Sequence, residues 1–288
     1  MFKEHRFNTW AVEINYAEGP PAGPPLLLLH GYTGRWQGFL PVLPVLSLNW
    51  HVYAPDYRGH GTSERVPGRY GAEDYMGDID AFVQGVVKEP AVVFGHSLGA
   101  LFALALAGRR PADVPAVIVG DIALSRETWA ARPHNEEYWK GVRNLAASEA
   151  SVPELTKLVG ELPVLGMEPP VKYKDLPEVT SVELREWAKS LTLLDPGVVD
   201  CHAEGRRHEL LEAFDFEPLL RAVTCPVLLL QGDTELGGLL TDDDVHFAMS
   251  VLPEAYHVKI ENVGHDLGLG SFQVAPLLRA VVNFLESL

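Results

Sequence analysis

The sequence predicts an α/β fold, in which a mostly parallel central sheet carries helices on both faces and an inserted helical cap. One observation is a series of short apolar segments, since strands that are hydrophobic on both faces suit a buried parallel sheet. These segments span residues 26–30, 51–55, 91–95, 116–120, 227–232 and 256–260. A second observation is that helix-length segments alternate with these strands, which favours helices on both faces of the sheet. Those segments span residues 36–48, 73–88, 98–109, 243–251 and 272–286.

A third observation is that this alternation stops between residues 122 and 215. No strand-like segment occurs there, and residues 125–149 and 181–194 have the pattern of amphipathic helices. We therefore predict a helical cap at residues 122–215, inserted into an α/β core that consists of residues 1–121 and 216–288.

Residues 9–18 precede the first core strand, and their side chains alternate between apolar and polar. This period of two predicts an antiparallel strand at the edge of the sheet. The glycine- and proline-rich segment 19–25 then separates this strand from the first core strand.

Composition limits the class of ligand and the location of the protein. The chain has 288 residues, of which 47% are hydrophobic and 22% charged, as in an ordinary globular protein. Its formal net charge of −16 argues against nucleic acid or an anionic membrane as a partner, and it favours a neutral or apolar small molecule. No apolar run approaches the roughly 18 residues of a membrane span, and residues 1–10 lack a secretory signal. We therefore expect a cytoplasmic protein without membrane insertion.

The junction between the strand at 91–95 and the helix at 98–109 reads Gly95-His96-Ser97-Leu98-Gly99. This is the G-x-S-x-G pattern in the strand–turn–helix context of a nucleophile elbow. The two glycines leave room for the strand and helix to approach closely, so that Ser97 is exposed at the tip of a strained turn. At a helix N-terminus, the Leu98 amide can stabilise an oxyanion. Taken alone, the pattern is also compatible with a glycine-rich turn that contains a serine by chance.

Two further segments indicate a family. His30-Gly31-Tyr32-Thr33-Gly34 follows the first core strand, and residues 56–63 read D-Y-R-G-H-G-T-S. Together with the serine motif, they resemble the α/β-hydrolase fold superfamily. The resemblance implies that the Tyr32 amide is the second oxyanion donor. It also implies that residues 56–63 form a structural turn beneath the active site.

A serine nucleophile needs a histidine base, which in turn needs a carboxylate. His265 follows the last strand, at the position that the resemblance assigns to the catalytic histidine. The acid has two placements in the family, and they lead to Asp121, directly after the strand at 116–120, or to Glu235. We favour Asp121, which lies 24 residues after Ser97, and keep Glu235 as the alternative. Asp233 is a weaker third candidate.

No metal or cofactor is expected. The nearest group of possible metal ligands, Cys201, His202 and His208, would lie on different faces of a helix. The glycine patterns that bind nucleotide phosphates are absent from the sequence.

The predicted function is a serine hydrolase, similar to carboxylesterases, that cleaves an ester or lactone of a small, largely apolar substrate. Tyr32, Trp36 and His96 are expected to line the substrate pocket beneath the cap. Because position 97 is serine and not aspartate, the attacked atom should be a carbonyl carbon. The alternatives are a carbon–carbon bond hydrolase or perhydrolase of the same fold, and a ligand receptor with slow turnover.

Overall fold

The computed structural model describes residues 1–132, 135–165, 167, 169–176, 179–270 and 273–288. One sheet runs through the molecule, with the spatial strand order 1-2-4-3-5-6-7-8. Strand 2 pairs antiparallel with strands 1 and 4, and the remaining pairs are parallel. The strands are β1 (Lys3–Asn8), β2 (Glu13–Glu18), β3 (Pro25–Leu29), β4 (His51–Pro55), β5 (Val92–His96), β6 (Val117–Gly120), β7 (Val227–Gln231) and β8 (Ala255–Lys259).

Helices connect these strands. The α-helices in the described residues are α1 (Leu43–Leu46), α2 (Ala72–Phe82), α3 (Leu98–Arg109), α4 (Arg126–Ala131), α5 (Glu136–Ala146), α6 (Val152–Gly160), α7 (Ser181–Thr192), α8 (Asp200–Ala203), α9 (Arg207–Leu211), α10 (Phe216–Ala222), α11 (Asp242–Val251) and α12 (Ala275–Ser287). Short 3₁₀ turns occur at Trp36–Phe39, Tyr173–Asp175, Pro196–Val199 and Thr234–Leu236, and a π turn at Val83–Val87 extends α2.

The predicted α/β class is confirmed, because helices cover both faces of a mostly parallel sheet. Alternate side chains of β3 point to opposite faces, as the pleat of a strand requires. Leu27 and Leu29 join an apolar cluster with α2, α3, α10 and α11. Leu26 and Leu28 join a second cluster with α1 and α12.

Two sequence expectations need correction. The segment at 9–18 is not the edge of the sheet, because β1 pairs outside β2. β1 has almost entirely exposed side chains, so its sequence lacks the apolar alternation that would have predicted it. The helix expected at 36–48 is divided into a 3₁₀ turn and α1, since prolines at 41 and 44 lack the N–H groups of a continuous helix.

The segment between β6 and β7 contains α4 to α10, and residues 122–215 are called the helical insertion below. Its helices α5, α6 and α7 have an apolar cluster of their own, apart from the two clusters on the sheet. Val142, Leu155 and Leu191 in this cluster are fully buried. The function of the insertion as a cap, and its boundaries as a domain, remain predictions.

The carboxyl ends of β3, β5, β6, β7 and β8 lie along the same edge of the sheet, because these strands are parallel. β3 lies between β4 and β5, so the strand order changes direction there. In open α/β sheets, ligands bind outside the carboxyl ends of the strands at such a point. A functional site is therefore expected at the loops after β3 and β5.

Candidate active site

Ser97 lies at the junction between β5 and α3, with backbone angles φ 56° and ψ −125°. Positive φ is strained for a residue with a side chain, so the turn must be held from both sides. A Cβ atom on Gly95 would lie 2.1 Å from the carbonyl oxygen of Gly99, and one on Gly99 would lie 2.1 Å from that of Leu29. Both positions thus require glycine for the strand and helix to meet at this serine.

Ser97, His265 and Asp121 form a chain of hydrogen bonds. The Ser97 hydroxyl lies 2.9 Å from His265 Nε2, and His265 Nδ1 lies 2.7 Å from Asp121 Oδ2. A carboxylate only accepts, so Nδ1 carries the proton and Nε2 is left to accept from the serine. The arrangement can therefore transfer the serine proton to the imidazole.

Asp121 is fully buried and has three backbone amides as donors. Its Oδ1 accepts from Gly232 at 2.9 Å and from Leu240 at 3.2 Å, and its Oδ2 accepts from Leu239 at 2.7 Å. These bonds offset the loss of water around the charge. The Asp121 amide donates to the carbonyl of Leu230 at 2.9 Å, which extends the pairing between β6 and β7. The sheet itself thus fixes this carboxylate.

The other two acid candidates lie elsewhere. Glu235 is exposed on the turn at Thr234–Leu236. The Asp233 side chain accepts from the Glu235 amide at 3.0 Å and caps the same turn. Of the three acids weighed in the sequence, Asp121 is the one that contacts His265.

The Tyr32 and Leu98 amides remain the predicted oxyanion donors. In the described part of the chain, neither amide donates to another protein group. A Cβ on Gly31 would lie 2.9 Å from the Ser97 Cβ, so the peptide that begins at Gly31 lies against the serine side chain. The Gly31 carbonyl accepts from the Gly34 amide at 3.0 Å. Because C=O and N–H point in opposite directions across a trans peptide, the Tyr32 amide points away from that bond.

His30 stabilises the loop after β3 through two hydrogen bonds. The Tyr57 amide donates to His30 Nε2 at 3.2 Å, so Nδ1 carries the proton and donates to the Gly31 carbonyl at 2.8 Å. Burial lowers the pKa of His30 well below its ordinary value, and the ring is neutral at neutral pH. His30 therefore has a structural role in fixing the Gly31–Tyr32 peptide.

His96 fixes the main chain of His265. Its Nε2 donates to the His265 carbonyl at 2.7 Å, and the two rings lie 4.9 Å apart between centroids. Burial, with a smaller contribution from His265, lowers the pKa of His96 to about 4. His96, which the sequence predicts to line the substrate pocket, therefore also stabilises the loop of His265.

Tyr32 joins the loop after β3 to the helical insertion. Its hydroxyl donates to the Val198 carbonyl, and its ring packs edge-on against Trp139 at 5.5 Å. Trp36, in contrast, packs in the core: its side chain is 8% exposed and belongs to the apolar cluster with α1 and α12. These contacts give Trp36 a place in the core and do not support its predicted place in the pocket.

Residues 56–63 brace the loop after β3 through Asp56. Its carboxylate accepts from the Trp36 amide at 2.7 Å and from Asn15 Nδ2 at 3.0 Å. Gly61 has a φ of 54°, and a Cβ there would lie 2.1 Å from Asp56 Oδ2. Burial raises the pKa of Asp56 to about 6, while these donors act in the opposite direction.

Some site groups had no signal in the sequence. The amides of Leu239 and Leu240 donate to Asp121, yet any residue type except proline supplies an amide, so the sequence could not single them out.

Among the described residues, no group of three or more His, Cys, Asp or Glu side chains could hold a metal ion. No described helix is both long enough and apolar enough to cross a membrane.

Comparison with known proteins identifies the family of the chain. The sequence model for the alpha/beta hydrolase fold matches residues 24–269. A 2-(acetamidomethylene)succinate hydrolase from Mesorhizobium japonicum is 25% identical over 288 residues, which cover 99% of this chain and 96% of that protein.

Solved structures share the fold. The crystal structure of E-2-(acetamidomethylene)succinate hydrolase superposes with a TM-score of 0.73 and 21% identity, over 99% of this chain and 100% of that one. The structure of an N-formylmaleamic acid deformylase from Pseudomonas putida has a TM-score of 0.75 and 21% identity, over 97% and 100% of the two chains. At this identity the likeness concerns the fold alone. With the family match over most of its length, the chain belongs to the α/β-hydrolase fold family.

Proposed function

We propose that the protein is a serine hydrolase that cleaves a carboxylic ester or lactone of a small molecule through an acyl-enzyme on Ser97. The observation that carries this proposal is the hydrogen-bonded chain from Asp121 through His265 to Ser97. Ser97 supplies the nucleophile, His265 the general base and Asp121 the carboxylate that orients it.

In the acylation step, His265 Nε2 takes the hydroxyl proton as Ser97 Oγ bonds to the substrate carbonyl carbon. The carbonyl oxygen becomes an oxyanion, which the Tyr32 and Leu98 amides stabilise. When the intermediate collapses, the bond to the leaving oxygen breaks, and His265 returns its proton to the departing alkoxide.

In deacylation the same steps occur with water as the nucleophile. His265 takes a proton from the attacking water, and the resulting oxyanion is stabilised by the same two amides. Its collapse breaks the bond to Ser97 Oγ, which regains its proton and releases the acid. No cofactor enters either step.

The helical insertion, residues 122–215, would act as a cap in this scheme. Support comes from Tyr32, which follows β3 and whose side chain contacts Val198 and Trp139 of the insertion. The apolar part of the substrate would then lie between the loop after β3 and the inserted helices.

The test is steady-state hydrolysis of p-nitrophenyl esters of increasing acyl length by the wild type and Ser97→Ala. We expect sustained turnover by the wild type and a loss of about 10⁶-fold in kcat for the variant. A single burst without turnover would favour a ligand receptor, and equal rates for the two proteins would contradict the role of Ser97. A p-nitrophenyl phosphonate should also add covalently to Ser97 in the wild type, as measured by mass spectrometry of peptides.

A second candidate is hydrolysis of an amide bond in a small acid. It is favoured by the similarity over nearly the whole chain to a protein named for the hydrolysis of 2-(acetamidomethylene)succinate. The same Ser97 chemistry would serve, with an amine as the leaving group. Parallel assays of an ester and the matching N-acyl amide would separate the two, since an amide hydrolase cleaves both and an esterase the ester alone.

A further inference from the structure

A cavity of about 340 Å³ lies between α4, α9 and α10, where the helical insertion begins and ends. This volume is in the range of small-molecule sites. The residues that line the cavity include neither Ser97 nor His265, and none of them belongs to the loop after β3. The cavity is therefore separate from the candidate active site, and it is called the α4 cavity below.

The walls of the α4 cavity are largely apolar. Trp129 lines it from α4, and its indole N–H donates to the Ala123 carbonyl at 3.0 Å, so the polar atom of this ring is already paired within the protein. Leu211 and Phe216 line it from the opposite side of the chain order, and Phe216 is 3% exposed. A ligand would therefore contact aromatic and aliphatic surface here, as small-molecule sites commonly provide.

Arg207 adds a positive charge to these apolar walls. Its guanidinium lies over the Trp129 ring at 5.9 Å, and its Nη2 donates to the carbonyls of Trp129 at 3.0 Å and Arg132 at 3.4 Å. The other N–H groups, on Nε and Nη1, have no hydrogen-bond partner among the described residues, and they are not sealed from solvent. Since Arg207 lines the cavity, these donors are available to a ligand.

No carboxylate of the described residues neutralises Arg207. Most other buried or half-buried arginines form an ion pair with an acid, namely Arg35, Arg58, Arg110, Arg143 and Arg206. Arg132 also lacks such a pair, but its unpaired Nε is buried and it does not line the cavity. Burial lowers the pKa of Arg207, and no acid acts in the opposite direction. In a chain with a formal net charge of −16, this unpaired cation favours an anionic ligand.

The charges at the rim favour a ligand with a single negative charge. Arg126 is exposed and lies 3.9 Å from Asp215, and an exposed ion pair of this kind contributes little. Glu212 also lines the cavity and is exposed, yet it has no effect on the pKa of Arg207. One carboxylate of a ligand could thus pair with Arg207, whereas Glu212 would repel a second one.

We propose that the α4 cavity is a second small-molecule site that binds an aromatic monocarboxylate. Its carboxylate would accept hydrogen bonds from Arg207, and its ring would pack against Trp129 and Phe216. Charge-assisted hydrogen bonds to a guanidinium are stronger than neutral ones, and aromatic rings stabilise one another beyond the area that they bury. The inference goes beyond the proposed function and does not depend on it, since other residues carry it.

The test is titration calorimetry of the wild type with benzoate, benzamide and acetate. Benzamide has nearly the shape of benzoate without its charge, and acetate has the charge without the ring. We expect benzoate to bind with a Kd of about 1 mM or lower, and the other two to bind at least about tenfold more weakly. No binding of benzoate, or equal affinity for benzoate and benzamide, would overturn the proposal.

Arg207→Gln should weaken the binding of benzoate at least about tenfold and leave that of benzamide unchanged. Arg207→Lys should retain part of the affinity, because it keeps the charge but loses the planar donors. Arg221→Gln is the matched control, since Arg221 is exposed on α10 and paired with Glu217. Its affinity for benzoate should equal that of the wild type. An unchanged affinity in Arg207→Gln would show that the anion binds elsewhere.

Ala130→Trp tests the position of the site without removing a charge. Ala130 is exposed on α4 and lines the cavity, so a larger side chain there should occupy the cavity with little effect on folding. We expect this variant to lose benzoate binding and to hydrolyse p-nitrophenyl acetate at the rate of the wild type.

Loss of both binding and hydrolysis in folded Ala130→Trp would mean that the cavity is part of the active site, and it would overturn the proposal of a second site. If the wild type cleaves no ester but benzoate binds through Arg207, the proposed function fails and the second site stands. If esters are cleaved and benzoate does not bind, the second site fails and the hydrolase stands.

Discussion

The carboxyl edge of the sheet and the helical insertion are held together in different ways. At the sheet edge, backbone groups position each side chain of the candidate site. The Ser97 amide donates to the Gly120 carbonyl at 2.8 Å, and the Asp121 amide donates to the Leu230 carbonyl at 2.9 Å. A parallel ladder of this kind leaves little freedom, so the geometry of the site is set by the core.

The helical insertion is joined to the core largely by side chains. Arg35 pairs with Glu186 at 2.7 Å and with Ser190 at 3.1 Å, both on α7. The Tyr70 hydroxyl donates to Asp195 at 2.6 Å. Such contacts can be changed one at a time without altering the sheet. Under the proposed function, chemistry would depend on the core and substrate access on the insertion, so catalysis and substrate choice could vary separately.

After Ser97 itself, the largest effect should come from the carboxylate that contacts His265. Asp121→Asn keeps the shape of the side chain but removes the charge and can reverse the histidine tautomer, so kcat should fall by about 10⁴-fold. Glu235→Gln is the control and should change kcat by less than about threefold, because Glu235 is exposed. Ester hydrolysis at constant pH measures both. A greater loss in Glu235→Gln would show that the acid is not the one in the sheet.

A smaller but still large effect concerns the stability of the elbow. Gly99→Ala would place a Cβ 2.1 Å from the Leu29 carbonyl oxygen, and we expect it to lower the free energy of unfolding by about 3 kcal/mol or more. Gly77 lies within α2 with nothing within 4 Å of a Cβ, so Gly77→Ala should raise stability by about 0.5 to 1 kcal/mol. Urea unfolding compares the two. Equal behaviour would contradict the tight approach of α3 to the sheet.

Acid should destabilise the fold through histidines whose pKa is lowered by desolvation. Burial lowers the pKa of His60 and of His96 to about 4, against an unfolded value of about 6.5. Between these values the unfolded chain binds protons that the folded chain does not, so stability falls as the pH drops from about 6.5 towards 4. Each histidine should contribute a loss of about 2 kcal/mol by pH 5. Asp56, with its pKa raised to about 6, opposes this trend over part of the range.

The free energy of unfolding in urea, measured from pH 7.5 to pH 5, tests this expectation. His60→Gln cannot be protonated, and so its stability should depend less steeply on pH than that of the wild type. An unchanged slope in this variant would mean that His60 is not kept neutral by the core.

The smallest effect concerns the join between core and insertion. Tyr70→Phe removes the bond to Asp195, which is 7% exposed, and should cost about 1 to 2 kcal/mol. Hydrogen exchange should increase in α7 more than in β5. Tyr256→Phe removes a bond of 2.7 Å to Glu254 at the surface and should cost less than about 0.5 kcal/mol. If β5 became as labile as α7, the insertion and the sheet would unfold as one unit.

Local sequence patterns were sufficient for much of the sheet. Predicted strands such as 51–55 coincide with the structure, because their residues are apolar on both faces and bounded by turn residues. Strand β1 could not be predicted in this way, because its side chains are almost all exposed and show no apolar pattern. It forms a strand through its antiparallel pairing with β2. The sequence also could not show on which side Trp36 packs, because a 3₁₀ turn of four residues is too short to have a periodic apolar face.

By itself the sequence determined the elbow around Ser97, the loop after β3 and the position of His265, because each depends on residue types at fixed local spacing. The tertiary structure alone decided which acid contacts His265. Asp121 and Glu235 both follow a strand, and the choice depends on where the end of β6 lies relative to the loop of His265. Contacts between residues distant in the chain are set by the balance of packing and pairing across the whole fold, and no local pattern encodes them.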